Sequence, residues 1–169
     1  MSLSSRDLKQ LIPAIYLVAL FLIVAPYLNE LIKVWPFLPS DAGWRFGAFG
    51  FLLNAATTPL LGFALLAGVA LATSSATALR STAVGAGLLA AVLVVLLLVF
   101  MRDAGQLVAN LSGLMQQQAR VALWRTVLVS LFCLPVLSWL AIGAWRASSG
   151  IRATLSAAAR SSSGLVVGS

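Results

Sequence analysis

The sequence predicts an all-α membrane protein, a four-transmembrane-helix bundle with an amphipathic extramembrane helix between spans 3 and 4. The first observation is composition: 61% of the 169 residues are hydrophobic and 9% are charged, whereas a soluble domain has roughly 25% charged residues. The second is the segment 83–101, which has no charged, amide or hydroxyl side chain. A helix of that length crosses the hydrocarbon core of a bilayer, roughly 30 Å thick, with its backbone hydrogen bonds satisfied internally.

The first span is predicted at about residues 9–28. Pro13 falls in its first turns, where a missing N–H group costs little, and Pro26 should bend or end it near the far interface. We favour an uncleaved span over a signal peptide, because the apolar run is long and its small-residue exit is followed by Pro26. In the following connection, Trp35 and Trp44 are expected at headgroup depth or at a contact with a partner.

The second span, at about residues 45–72, is interrupted by polar residues and a proline. Asn54, Thr57 and Thr58 precede Pro59, which removes one backbone hydrogen bond. One interpretation is a kinked span in which Asn54 bonds to another helix. The other is a polar notch, formed by Asn54, Thr57 and Thr58, that binds a quinone or a lipid headgroup.

Residues 73–82 are too few for anything but a tight return, so the second and third spans (the third at about residues 83–101) should be antiparallel neighbours. Small residues at helical spacing lie on both sides of this return, where they would let two backbones approach closely. We therefore predict that two stripes face each other, namely Ala64, Gly68 and Ala72 before the return and Ala83, Gly87 and Ala91 after it.

Residues 102–120 become polar but keep a narrow apolar face, formed by Leu107, Leu111, Leu114 and Met115. This pattern predicts an amphipathic helix that packs within the protein at the interface or docks on another subunit. The last span is predicted at about residues 121–145, which completes a transmembrane domain of residues 1–146. The Ser/Ala/Gly-rich residues 147–169 are predicted to form a flexible cytoplasmic tail, with a marginal surface helix through Ile151 and Leu155 as the alternative.

An even number of spans places both termini on one side of the membrane. That side would carry six basic residues and one acid, and the other side five basic residues and three acids. The positive-inside rule then predicts a multi-pass protein of the bacterial inner (cytoplasmic) membrane with cytoplasmic N- and C-termini. The formal charge of +7 is scattered over helix ends, so membrane lipids are expected as partners and nucleic acid is not.

The side-chain inventory argues against catalysis. The chain has no histidine and a single cysteine, Cys133, which lies in an apolar setting and should be buried. No acid or base falls at mid-membrane depth, and no catalytic triad, phosphate loop or metal-ligand cluster can be assembled. We therefore expect no enzyme activity, no metal site and no required cofactor. Lipid contacts are expected, and a quinone or pigment would have to bind without histidine ligation.

Several short segments carry a resemblance to a known family. They are Leu8-Lys9, the run from Pro39 to Arg45, and the run from Thr58 to Leu66, followed by a third span, a Gln-rich helix and a final span. In this layout the chain resembles HpsJ-type membrane proteins, which are linked to polysaccharide production in filamentous cyanobacteria. The resemblance implies a role in envelope biogenesis and supplies no catalytic residues.

Three functions are compatible with these observations. The leading hypothesis is a non-catalytic accessory or scaffold subunit of a larger membrane complex, of respiratory or photosynthetic type, with other integral membrane subunits as partners. The first alternative, which the resemblance implies, is an envelope-biogenesis factor acting beside a polysaccharide or protein export machine. The second alternative is a quinone- or lipid-binding protein that uses the notch at Asn54.

Overall fold

The computed structural model describes residues 5–164, and the side chains of residues 11–157. This part of the chain is helical, without strands. The five helices are α1 (Ser5–Lys33), α2 (Ala42–Asn54), α3 (Thr57–Ala72), α4 (Ala76–Asn110) and α5 (Gly113–Gly164). Four stretches are long and apolar enough to cross a membrane, Leu11–Lys33, Ala42–Ala72, Ala76–Asn110 and Gly113–Ala157. The predicted all-α class with four membrane-spanning helices is confirmed.

α1 is longer than predicted. Pro26 lies inside it and does not end it, and the helix continues to Lys33. An ion pair one turn apart supports the extension, since Lys33 Nζ lies 2.8 Å from Glu30 Oε1. α1 packs chiefly against α3. At this crossing a Cβ on Gly62 would lie 2.7 Å from the carbonyl oxygen of Ala19, so only glycine permits the contact.

The second span consists of two helices. Asp41 caps α2, since its Oδ1 accepts a hydrogen bond of 2.6 Å from the Trp44 backbone N–H. Pro59 has no N–H to donate to the carbonyl of Ala55, which instead accepts from the Thr58 N–H at 3.4 Å. The predicted kink before Pro59 is therefore confirmed, as a break between α2 and α3.

The return between the second and third spans is shorter than the predicted residues 73–82. Ser75 already caps α4, with its Oγ accepting from the Ala78 N–H at 3.3 Å. The polar residues that suggested a longer loop are helical because the hydroxyls of Ser81 and Thr82 donate to the Ala78 carbonyl. α4 thus begins seven residues before the apolar run at Ala83.

The segment 102–120 was predicted as one amphipathic helix, and that prediction was wrong about continuity. Its first half is the end of α4 and its second half is the start of α5, with a break at Leu111 and Ser112. Gly113 follows with φ +62°, a backbone conformation that glycine adopts without strain. Gln116 Nε2 donates across the turn to the Val108 carbonyl at 3.1 Å, so the amide closes the hairpin.

The prediction of a flexible tail from residue 147 is also corrected, because α5 continues to Gly164. The reason is packing beyond the apolar span. Ser148 is fully buried and donates to the Trp145 carbonyl, while Ala147 and Ile151 pack against a second buried cluster. That cluster consists of Ala70, Leu79, Ala83 and Ala144. Residues 165–169 of the predicted tail lie outside the described residues.

The bundle has two ends that differ in how they are built. We call the end with the 34–41 loop and the α4–α5 turn the Asp41 end, and the end with the α3–α4 turn the Ser75 end. The larger core cluster lies between them and includes Leu53, Phe63, Leu93, Phe100 and Leu137. Cys133 is buried in this cluster, as predicted.

Candidate functional site

An ion pair joins α2 to α4 at the Asp41 end. Arg45 Nε donates to Asp103 Oδ2 at 2.6 Å, and Arg45 Nη2 donates to Asp103 Oδ1 at 3.1 Å. Arg45 Nη1 also donates to the Pro39 carbonyl at 2.8 Å, which ties the 34–41 loop to the pair. The Asp103 side chain is 5% exposed and that of Arg45 is 25% exposed. This bidentate geometry fixes α2 relative to α4, because one planar guanidinium binds both oxygens of the carboxylate.

A second polar contact lies at Asn54, about two and a half turns farther along α2 than Arg45. Asn54 Nδ2 donates to Thr126 Oγ1 on α5 at 2.8 Å and to the Gly50 carbonyl at 2.7 Å. Thr126 is 1% exposed. The prediction that Asn54 bonds to another helix is therefore confirmed.

Beside these contacts lies a cavity of about 920 Å³, bounded by the end of α1, by α2, by α4 and by the start of α5. Its apolar lining comes from α2, α4 and α5 and includes Phe46, Phe51, Phe100, Leu114 and Val121. Its polar lining consists of Glu30, Lys33, Asn54, Gln117, Gln118, Arg125 and Thr126. From Leu114 to Thr126 the lining extends about 18 Å along α5 at 1.5 Å per residue. The cavity is long and amphiphilic.

Two residues that line the cavity each carry a buried oxygen atom that has no hydrogen-bond partner among the described residues. These atoms are Asn54 Oδ1 and Glu30 Oε2. The other carboxylate oxygen of Glu30 accepts from Lys33 Nζ at 2.8 Å. Because both unpaired atoms are buried, they do not face the open space of the cavity.

Arg125 supplies a charge to the same wall. Its side chain is exposed, and no hydrogen bond or ion pair joins it to another residue in the described part of the chain. Lys33 is already paired with Glu30, so the lining keeps one uncompensated positive charge at Arg125. The wall therefore offers one unpaired cation to an occupant.

The predicted notch is only partly present. Asn54 lines the cavity, whereas Thr57 is exposed and Thr58 is half-buried, and neither borders it. Both threonines belong to the first turn of α3, beyond the break, so they lie on a different helix from Asn54.

The two predicted small-residue stripes do not face each other. Ala64, Gly68 and Ala72 are exposed, and a Cβ on Gly68 would meet nothing within 4 Å. The close contacts of α3 and α4 use other glycines, since Gly62 meets α1 and a Cβ on Gly85 would lie 2.9 Å from the ring of Phe63.

Part of the α4 stripe packs instead on α5. Ala83 joins the cluster that includes Ala144, and a Cβ on Gly87 would lie 4.0 Å from the Cβ of Ala141. Ala91 is exposed. Sequence spacing identified small residues at close helix packing in α4, but it did not identify α5 as a neighbour of this stripe.

The predicted docking residues fall into two groups. Trp35, Leu114 and Met115 are 72%, 78% and 68% exposed, so they are free to meet a partner. Trp44 is half-buried and its Nε1 donates to the Val34 carbonyl at 2.9 Å, which gives it a role inside the protein. Leu107 and Leu111 are also half-buried.

The first span has an outer face that the rest of the chain leaves uncovered. In its most apolar stretch 6% of the residues are buried, against 22 to 28% in the other three spans. This face of α1 carries a shallow, open apolar groove between its own side chains, formed by Leu17, Val18, Leu20, Phe21, Val24, Ala25 and Leu28.

Sequence reasoning missed the Arg45–Asp103 pair and the roles of Glu30, Lys33 and Arg125. Charged residues were expected at helix ends near the membrane surface. Their positions in the sequence give no sign that these residues lie close together. Among the described residues, no group of three or more His, Cys, Asp or Glu side chains could hold a metal ion.

The chain was also compared with known proteins. No protein-family model, no curated protein and no solved structure matches it.

Proposed function

We propose that this protein is a non-catalytic accessory or scaffold subunit that binds another integral membrane subunit through the outer face of α1. The observation that carries the proposal is the apolar groove on a span that its own chain leaves almost unburied. Association of helices in lipid depends on close van der Waals packing, and a groove gives a second helix a shape to fit. The expected occupant is an apolar transmembrane helix of a different subunit.

The way α1 is attached supports this role. Gly62 allows α3 to approach the α1 backbone closely, so the inner face of α1 is fixed while its outer face stays uncovered. A fixed helix is a better docking surface than a mobile one, because less conformational freedom is lost on binding.

Site-specific photocrosslinking in native membranes tests the proposal. A photoreactive residue at Phe21, which is 69% exposed in the groove, should crosslink to one discrete membrane protein. Leu98 on α4 is a matched control, since it is 66% exposed but lies outside the groove. Lipid adducts alone at Phe21, or the same protein at both positions, would contradict the proposal.

Extraction in mild detergent followed by native gel electrophoresis and mass spectrometry tests the assembly directly. The chain should migrate in a complex larger than its own 17.7 kDa, and Val24→Trp, which fills the groove, should release it. The proteins that co-purify would identify the host, and an energy-transducing complex is proposed only because such complexes commonly contain small subunits without redox ligands. The envelope-biogenesis role stays a prediction from the resemblance alone.

The cavity at the Asp41 end favours a second candidate function, the binding of a quinone or a lipid. Its support is the uncompensated charge of Arg125 on the wall of a long amphiphilic cavity. This function does not depend on the subunit role, because the cavity and the α1 groove share no lining residue.

A further inference from the structure

We infer that the 34–41 loop is a lipid-interface anchor, whose side chains Trp35, Phe37 and Leu38 insert into the headgroup layer of the leaflet at the Asp41 end. The partner is the bilayer surface itself, which offers acyl carbons beside phosphate and ester oxygens. None of the three residues lines the cavity or the α1 groove, so the inference is independent of both proposed functions.

The exposed side chains of the loop are apolar. Trp35 is 72% exposed, Leu38 51% and Phe37 47%, and no charged side chain occurs in residues 34–40. The loop connects the first two stretches that are long and apolar enough to cross a membrane. It therefore lies at the bilayer surface, where exposed apolar area can leave water by entering the boundary between headgroups and acyl chains.

The backbone of the loop is partly paired within the protein, which lowers the cost of leaving water. Three of its carbonyl oxygens accept hydrogen bonds, namely those of Val34 from Trp44 Nε1 at 2.9 Å, of Leu38 from the Asp41 N–H at 3.0 Å and of Pro39 from Arg45 Nη1 at 2.8 Å. Pro36 and Pro39 have no N–H to satisfy. The remaining groups can bond to water and lipid oxygens, which the headgroup layer contains.

The two tryptophans of this end differ in what their indole N–H groups bind. Trp44 Nε1 donates to the Val34 carbonyl, whereas Trp35 Nε1 donates to no residue in the described part of the chain. The Trp35 side chain therefore needs an apolar surface for its ring and an acceptor for its N–H. The bilayer interface supplies both, and open water supplies only the acceptor.

Aromatic contacts hold the exposed rings in place before insertion. The ring centroids of Trp35 and Phe37 are 5.2 Å apart and those of Phe37 and Trp44 are 6.0 Å apart, both in edge-to-face geometry. Trp44 belongs to α2, so a helix of the second span positions the loop. Because the rings are already ordered, less conformational freedom is lost on insertion than with a mobile loop.

Fluorescence quenching in lipid nanodiscs tests where the loop lies. The full chain carries the fluorophore NBD at Leu38→Cys in a Cys133→Ala background, because Cys133 is its single cysteine. It is reconstituted without other membrane proteins in phosphatidylcholine and phosphatidylglycerol, so that both faces are open to buffer. We expect most of the fluorescence to be lost when the lipids carry a nitroxide near the glycerol backbone, and little to be lost to iodide. Phe37→Cys, labelled in the same way, should give the same pattern.

Asn110→Cys is the matched control, since Asn110 is exposed at the same end of the bundle. It lies about 13.5 Å along α4 from Met101, where the apolar run ends, whereas the headgroup layer is roughly 5–7 Å thick. Its label should be quenched by iodide and little by the lipid nitroxide.

If iodide quenches the labels at Leu38 and Asn110 equally, the loop lies in water and the inference fails. Protection of the Leu38 label from both quenchers would place the loop against a second copy of this chain and would overturn the inference as well. Neither result depends on whether a subunit binds α1 or a ligand binds the cavity.

Discussion

The two ends of the bundle are held together in different ways. At the Asp41 end, directed polar bonds join the helices, with Arg45 to Asp103, Trp44 to Val34 and Asn54 to Thr126. At the Ser75 end, small side chains pack closely around Leu79, and Arg80 lies 5.3 Å from the centre of the Trp145 ring. The 920 Å³ cavity lies at the Asp41 end, whereas the small side chains at the Ser75 end pack closely. The comparison places open space at one end of the bundle and close packing at the other.

The largest expected effect comes from breaking the polar end. Arg45→Leu strands the buried carboxylate of Asp103, and we expect the lowest unfolding temperature of any variant considered. Asp103→Leu should cost less, because the Arg45 side chain it leaves behind is 25% exposed and can be hydrated. Thermal unfolding in detergent, followed by circular dichroism, measures both.

The double variant, Arg45→Leu with Asp103→Leu, serves as the control for stranded charge. It should be more stable than Arg45→Leu alone, because no buried charge is left unpaired. If the two single variants unfold at the same temperature as each other and as the wild type, the pair does not hold this end together.

A smaller effect is expected from overfilling the Ser75 end. Ala83→Leu adds three carbon atoms at a position that is 5% exposed, and it should lower the free energy of unfolding by about 1–3 kcal/mol. Ala91→Leu makes the same change on an exposed position of α4 and should be nearly neutral. Titration with sodium dodecyl sulfate gives both values, and equal losses would remove the argument for close packing here.

The smallest effect concerns the contact between Arg80 and Trp145. Trp145→Leu should lower the free energy of unfolding by about 0.5–1 kcal/mol, the usual range for a cation over an exposed ring. Trp139→Leu is the comparison, since Trp139 is 77% exposed. A double-mutant cycle with Arg80→Gln isolates the interaction, and a coupling energy of zero would show that the two residues are merely adjacent.

Composition and spacing predicted the features that depend on one helix at a time. The four apolar spans, the kink before Pro59 and the burial of Cys133 all follow from local sequence. Helix ends were less predictable, because hydroxyl groups such as those of Ser81 and Thr82 bond to the preceding turn and let the helix continue outside the apolar run.

The sequence could not predict which face of one helix contacts which face of another. Arg45 and Asp103 lie 58 positions apart, and their pairing requires the rotation of both helices to be known. For the same reason the Gly68 stripe was assigned to the contact between α3 and α4, where Gly85 lies against Phe63 instead. The cavity wall is assembled from four helices, so sequence identified Asn54 and missed Arg125.

The break between α2 and α3 has a mechanical consequence. The second span is divided at Ala55 and Ala56. As a result α2 packs chiefly on α4, while α3 packs chiefly on α1. A change in the tilt of α1 would move α3 with it. The break between α2 and α3 would pass that movement to Asn54, the last residue of α2. Any tilt of α1 would therefore alter the wall of the cavity at the Asp41 end, which Asn54 lines.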